Sequence, residues 1–283
     1  HGGEILSLLG ENGSGKTTLM NMLAGIYFPD EGYILVDGKK VTITSPKDSF
    51  ALGIGMVHQH FKLIDTFTAL QNIILGLDGS FFLNKKKTEK AIKAIVDHYG
   101  FQLDLKKKIY EMSVSEKQTV EIIKLLYRNV DTLILDEPTA VLTPQETERL
   151  FDILRKMKED GKAIIIITHK LNEVLELSDR VAILRKGEMI GCIDTKEANE
   201  EILTDMMVGE HVSLKIQRDE PTRRKVRLSI SHLTTYNQEH VKTLDDVSFD
   251  CYTGEILGIA GIGSTAQKAL LEAISGLQPC EKG

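Results

Sequence analysis

The sequence predicts an α/β protein built on a parallel sheet, and three observations carry that prediction. Short apolar runs at residues 5–9, 54–57, 132–135, 163–168 and 181–184 alternate with helical patterns, as buried parallel strands joined by helices do. The first run leads into a glycine-rich loop and then a helical stretch over 18–24. Finally, Gly3-Glu4-Ile5-Leu6 recurs 251 positions on as Gly254-Glu255-Ile256-Leu257, and Gly10, Leu19, Gly25 and Gly32 recur as Gly261, Leu270, Gly276 and Gly283. A repeat that long marks a duplicated domain rather than a solenoid period.

Taken along the chain, residues 33–36 and 41–43 flank Asp37-Gly38, the dipeptide of a tight hairpin. Residues 88–99 set Ile92, Ile95, Val96 and Tyr99 on one face, with Gly100 just beyond, which predicts an amphipathic helix. That helix lies in a mostly helical insert of about 65–128. Residues 1–208 form the first domain. The polar stretch 209–225, with Arg218-Asp219-Glu220-Pro221, reads as a linker, and 226–283 as the N-terminal part of a second copy. In the second copy residues 226–253 precede the shared Gly-Glu-Ile-Leu, whereas almost nothing precedes it in the first. The expectation is a piece of a longer tandem protein, with the opening strands of the first domain missing and the second domain truncated.

Composition narrows the function classes. A net charge of −6 over 283 residues supplies no basic stripe for a phosphate backbone, so no nucleic acid partner is expected. Cys192, Cys251 and Cys280 are far apart and lack metal-ligand spacing, and read as reduced thiols. The longest aliphatic run, 163–167, is far short of the ~20 residues of a membrane-crossing helix. The opening His1-Gly2-Gly3-Glu4 has no signal-peptide pattern. Any work at a membrane is therefore expected from the cytosolic side, through partners.

The sharpest chemistry is Gly10-Glu11-Asn12-Gly13-Ser14-Gly15-Lys16-Thr17, placed between a strand and a helix as a P-loop requires. Gly10, Gly13 and Gly15 permit a tight turn whose N–H groups face phosphate oxygens, and the helix N-terminus adds its positive dipole end. Lys16 supplies a charge to the β- and γ-phosphates, and the Thr17 hydroxyl is a ligand for Mg²⁺. Asn12, Ser14 and Thr18 complete the nucleotide-contacting set. Residues 133–135 run into Asp136-Glu137, which divides the work of phosphoryl transfer to water: Asp136 toward the metal, Glu137 toward the attacking water. The strand 163–168 ends in His169, placed for the γ-phosphate region. No Asn-Lys-x-Asp guanine reader accompanies the loop, which argues against a GTPase.

These residues resemble the ATPase subunits of ABC transporters over nearly all of 2–210. Gly53 to Phe61 resembles the family's Q-loop, which implies that Gln59 reaches the metal and the water. Leu135-Asp136-Glu137-Pro138-Thr139-Ala140-Val141-Leu142-Thr143-Pro144-Gln145 and Ile167-Thr168-His169-Lys170-Leu171-Asn172-Glu173 resemble the Walker B, D-loop and H-loop segments of the sugar and nucleoside importer branch, whose members are fused tandem ATPases. Ser113-Val114-Ser115-Glu116-Lys117-Gln118 stands where the family has its signature. Read from the residues alone, Ser113 with Glu116 is a capping box opening a helix. The resemblance implies that Ser113 and Ser115 address a nucleotide held by another P-loop. Ser115 departs from the family's Gly.

In the second copy the offset puts Gln267 where Lys16 stands, Lys268 for Thr17, Ala266 for Gly15 and Ser264 for Gly13. The phosphate charge, the metal hydroxyl and two permissive glycines are lost together. The family pairs one domain's P-loop with the other's signature, so the resemblance places Ser115 and Gln267 in one weakened site. It further implies ATP and Mg²⁺, two transmembrane permease subunits with a solute-binding protein, a second ATPase domain or second copy as partner, and a peripheral place on the cytoplasmic face of the cell membrane. The competing readings are a tandem ABC ATPase acting on ribosomes or DNA, and a non-hydrolysing regulatory ATP module.

Overall fold

The computed structural model describes residues 1–77, 85–209, 225–237, 240–261 and 264–283, and within these the side chains of Lys85, Ser264 and Thr265 are not described. The chain forms two compact units, His1–Val212 and Ser213–Gly283. The stretch read as a linker, Arg218 to Pro221 included, lies outside the described residues apart from its ends.

The first unit opens with β1 (Ile5–Leu9) and α1 (Lys16–Leu23), then the hairpin β2 (Ile34–Val36) and β3 (Lys39–Val41). α2 (Pro46–Ala51) and β4 (Ile54–Val57) follow, then the helical insert of α3 (Ala69–Ile74), α4 (Lys85–Tyr99) and α5 (Val114–Tyr127). The chain returns to the sheet through β5 (Thr132–Asp136), α6 (Pro144–Glu159), β6 (Ala163–Ile167), α7 (Leu171–Leu177) and β7 (Arg180–Arg185), and finishes with β8 (Glu188–Asp194) and α8 (Glu200–Val208). Strand order is β4-β5-β6-β1-β7-β8, parallel except for β8, which runs antiparallel to β7 at the edge.

Successive side chains of a strand point to opposite faces, and both faces of this sheet are covered. Leu133 and Leu135 pack with the helices of the insert and α6, whereas Ile134 between them packs with Met20 of α1, Ile43 and Met56. Burial on both sides is why the strands read as unbroken apolar runs. Each fully buried Ile or Leu contributes on the order of 2 kcal/mol.

Among the differences from the sequence reading are two boundaries and one whole element. The hairpin's second strand begins at Lys39 rather than 41, because Asp37 (φ 50) and Gly38 (φ 73) make a two-residue turn that pairs Val36 with Lys39 at once. α1 begins at Lys16, two residues before the apolar pattern does. β8 was not anticipated: its residues are exposed or half-buried, none of them fully buried, and its pairing with β7 rather than hydrophobicity sets it as a strand.

The second unit holds the antiparallel pair β9 (Val226–Tyr236) and β10 (Lys242–Tyr252), followed by α9 (Ser264–Ile274). Ala269, Leu270 and Ala273 of α9 pack with Leu233 and Leu244 of the hairpin.

Candidate active site

Register assembles the site. Val57 lies beside Leu135, Asp136 beside Ile167, and Leu8 also beside Ile167. The residues that continue from the C-terminal ends of these strands therefore emerge at one sheet edge: Gln59 after β4, Glu137 after β5, His169 after β6 and Gly10 after β1. This is the edge at which open α/β sheets bind ligands.

Between β1 and α1 the loop folds around Lys16. Its ammonium donates to the carbonyls of Gly10 (2.8 Å) and Glu11 (2.9 Å). Burial lowers the pKa of Lys16, and the carboxylates of Glu137 and Asp136 pull it partly back. Gly15 caps α1 in a left-handed conformation (φ 97) with no side-chain cap, and no acid stands in the first turn. The first N–H groups and the dipole's positive end are thus left for an anion. The Ser14 hydroxyl is buried and, among the described residues, has no hydrogen-bond partner, a costly arrangement that an added acceptor relieves. Asn12, Gly13, Thr17 and Thr18 are exposed on the same loop and first turn.

Gly10 is required by close approach. A Cβ there would meet the Leu184 carbonyl oxygen at 2.2 Å and Ser14 Oγ at 2.4 Å. Gly10→Ala is expected to destabilise the chain by about 2 kcal/mol, read as a lower midpoint of thermal unfolding, because a backbone carbonyl of β7 has to move.

Thr17 Oγ1 donates to Asp136 Oδ2 at 3.3 Å. Asp136 is buried, and desolvation raises its pKa while the Thr17 hydrogen bond lowers it. Glu137 takes the left-handed region (φ 47), where a non-glycine residue is strained. Its N–H donates to the Ile167 carbonyl at 2.9 Å, and its Oε1 lies 3.0 Å from His169 Nδ1. His169 is largely exposed, with 54% of its side-chain surface accessible.

The structure thus brings together Lys16, Thr17 and Asp136 on one side and Glu137 with His169 on the other. Gln59 is exposed at the same edge, and among the described residues no hydrogen bond joins it to them. Ser113 and Ser115 lie at the start of α5, 3.2 Å apart, where Ser113 forms the capping box with Glu116. They make no hydrogen bond to the loop of Lys16 among the described residues. The pKa of Glu146 is lowered chiefly by the Thr143 N–H and then by the nearby Ser115 hydroxyl. The sequence reading named Gln118, Thr139, Lys170 and Glu173 within motif segments but gave them no role of their own. Thr139 Oγ1 donates to Glu173 Oε2 at 2.5 Å, and Lys170 Nζ donates to the Thr139 carbonyl and to Glu173 Oε1.

In the second unit Gln267 Nε2 donates to the Ile259 carbonyl at 3.1 Å. Lys268 instead lies on the exposed side of α9, 3.6 Å from Glu272. No group of three or more His, Cys, Asp or Glu side chains that would hold a metal occurs among the described residues.

A lysine-bearing glycine loop between strand and helix, with an acid pair at a neighbouring strand end, defines a P-loop nucleotide-binding protein. The family model described as ABC transporter matches residues 1–140. The guanosine import ATP-binding protein NupO of Bacillus subtilis is 45% identical over 283 residues, covering 99% of this chain and 56% of its own length. The glucose import ATP-binding protein TsgD13 of Haloferax volcanii is 40% identical, again over 99% of this chain and 56% of its own. The solved structure of cbiO1 from Clostridium perfringens, part of the ABC transporter complex cbiONQ, is 30% identical with a TM-score of 0.61, covering 73% of this chain and 82% of that one. The chain belongs to the ABC transporter family of ATP-binding cassettes. It spans about half the length of the curated relatives it matches.

Proposed function

We propose that the first unit binds ATP with Mg²⁺ and hydrolyses it, and that this drives import of a sugar or nucleoside through an ABC transporter. The observation that carries the proposal is the convergence of Lys16, the Thr17–Asp136 pair and the Glu137–His169 pair at one sheet edge. Glucose and guanosine in the names of the two relatives support the solute classes.

Lys16, the open α1 N-terminus and Ser14 hold the phosphates. Thr17 and Asp136 fit Mg²⁺, because a hydroxyl and a half-compensated buried carboxylate already face one another. Bound there, Mg²⁺ neutralises charge on the phosphate oxygens. Glu137 orients the water and accepts its proton, and His169 fixes the carboxylate and reaches toward the transferred phosphoryl group. Gln59 adds a contact to the metal and water. Ser113 and Ser115 address a nucleotide held by a second ATPase domain or second copy.

The second unit is read as the start of that second domain, with a phosphate loop disabled by Gln267. The partners are two membrane permeases and a solute-binding protein, with the chain peripheral at the cytoplasmic face. Among the described residues no helix is long and apolar enough to cross a membrane. Co-purification of the chain with membrane permeases tests the transport half of the proposal. Recovery of ribosomes or DNA in their place contradicts it.

Asp136 gives a check on the metal. Because burial raises its pKa, the folded chain keeps this proton to higher pH than the unfolded chain does. Stability falls as pH rises from the unfolded value through the folded one. Asp136→Asn removes that titration. Without nucleotide it is expected to raise the unfolding midpoint more at pH 7 than near about pH 4. The same substitution is expected to abolish the Mg²⁺ dependence of ATP binding.

A further inference from the structure

Two polar side chains of α5 are buried three residues apart, on one helix face: Gln118, 5% exposed, and Glu121, 3% exposed. Each reaches off the helix to a loop at the sheet edge. Gln118 Nε2 donates to the carbonyl of Pro138 at 2.9 Å, directly after Glu137. Glu121 Oε1 accepts the Lys62 N–H at 3.0 Å, three residues beyond Gln59, and Lys124 Nζ donates to the Lys62 carbonyl at 3.5 Å.

Packing alone would favour Leu or Met at these positions, since a buried amide or carboxylate costs several kcal/mol unless it is bonded. Both here are bonded, and both bonds go to loop backbone beside the candidate catalytic residues. The Glu137 loop needs such support, because the left-handed conformation of a non-glycine residue persists only where its surroundings over-determine it. On the opposite side Lys170 holds the Thr139 carbonyl, so the two residues after Glu137 are gripped from α5 and from the start of α7.

We propose that Gln118 and Glu121 are positioning residues, through which α5 sets the Glu137 loop and the Gln59 segment from the helix whose first turn carries Ser113 and Ser115. The proposal rests on the reading of Glu137 as the base.

The test is hydrogen exchange on the 283-residue chain with Gln118→Met, which keeps side-chain length and removes the donor. Exchange over residues 136–142 is expected to rise about tenfold, the value of one buried hydrogen bond, with the Lys16 loop unchanged. Glu121→Leu is expected to produce the rise over 58–64 instead. In Gln118→Met, ATP turnover is expected to fall about tenfold with KM for ATP unchanged. Unchanged exchange over 136–142 overturns the proposal whatever turnover does. If Gln118→Met raises exchange throughout the chain, Gln118→Glu, the isosteric acid, replaces it, with the same local rise expected and an undisturbed 136–142 overturning the proposal. A wild-type chain without turnover contradicts the catalytic reading, and the exchange pattern still decides the coupling.

Discussion

Glu137→Gln is expected to lower ATP turnover by about 10²- to 10³-fold while leaving ATP affinity within about twofold of the parent. The range is what a positioned general base contributes. The substitution is nearly isosteric, so the amide still reaches His169 across the present 3.0 Å and the loop keeps its hold on Ile167. What it loses is the capacity to take a proton from water. Phosphate release under saturating MgATP, paired with a nucleotide titration, separates the two quantities. Turnover close to that of the parent would remove Glu137 from the role of base and move the search to Gln59 and His169.

The second large effect concerns binding. Lys16→Ala is expected to weaken ATP affinity by about a hundredfold and to reduce turnover at least as much. Its ammonium stands at the centre of the loop, bonded to two carbonyls, and among the described residues no other cation is hydrogen-bonded within that loop. A charge-assisted contact to phosphate is worth about 1.5–3 kcal/mol, and the proposed role gives Lys16 more than one phosphate oxygen. Fluorescence titration with an ATP analogue measures the loss. The fold is expected to persist, since burial already disfavours the charged form of this side chain.

How much of this was legible in the sequence depends on whether a signal is local. The glycine loop, the strand running into Asp136-Glu137 and the capping box at Ser113 each lie within one short segment, and their backbone geometry follows from residue type. The contact between Glu137 and His169 is different. It depends on β5 and β6 being neighbours with Asp136 beside Ile167, a register set by the whole sheet. Gln118 and Glu121 were hidden for a further reason. On an amphipathic helix a polar residue reads as solvent-facing, and here the polar groups are buried against loops rather than against other helices. β8 was missed because an edge strand needs no apolar alternation once its partner supplies the pairing. Lys268 stands one residue out of register with Lys16, and its side chain runs toward Glu272.

We propose that one unit of this chain holds nucleotide through Lys16 and that the other, with Gln267 in that place, does not. Isothermal titration of the 283-residue chain with ATP in the presence of Mg²⁺ tests it most directly. The expected stoichiometry is one nucleotide per chain, lost in Lys16→Ala and retained in Gln267→Ala. Two equivalents per chain, or one that survives Lys16→Ala, would contradict it.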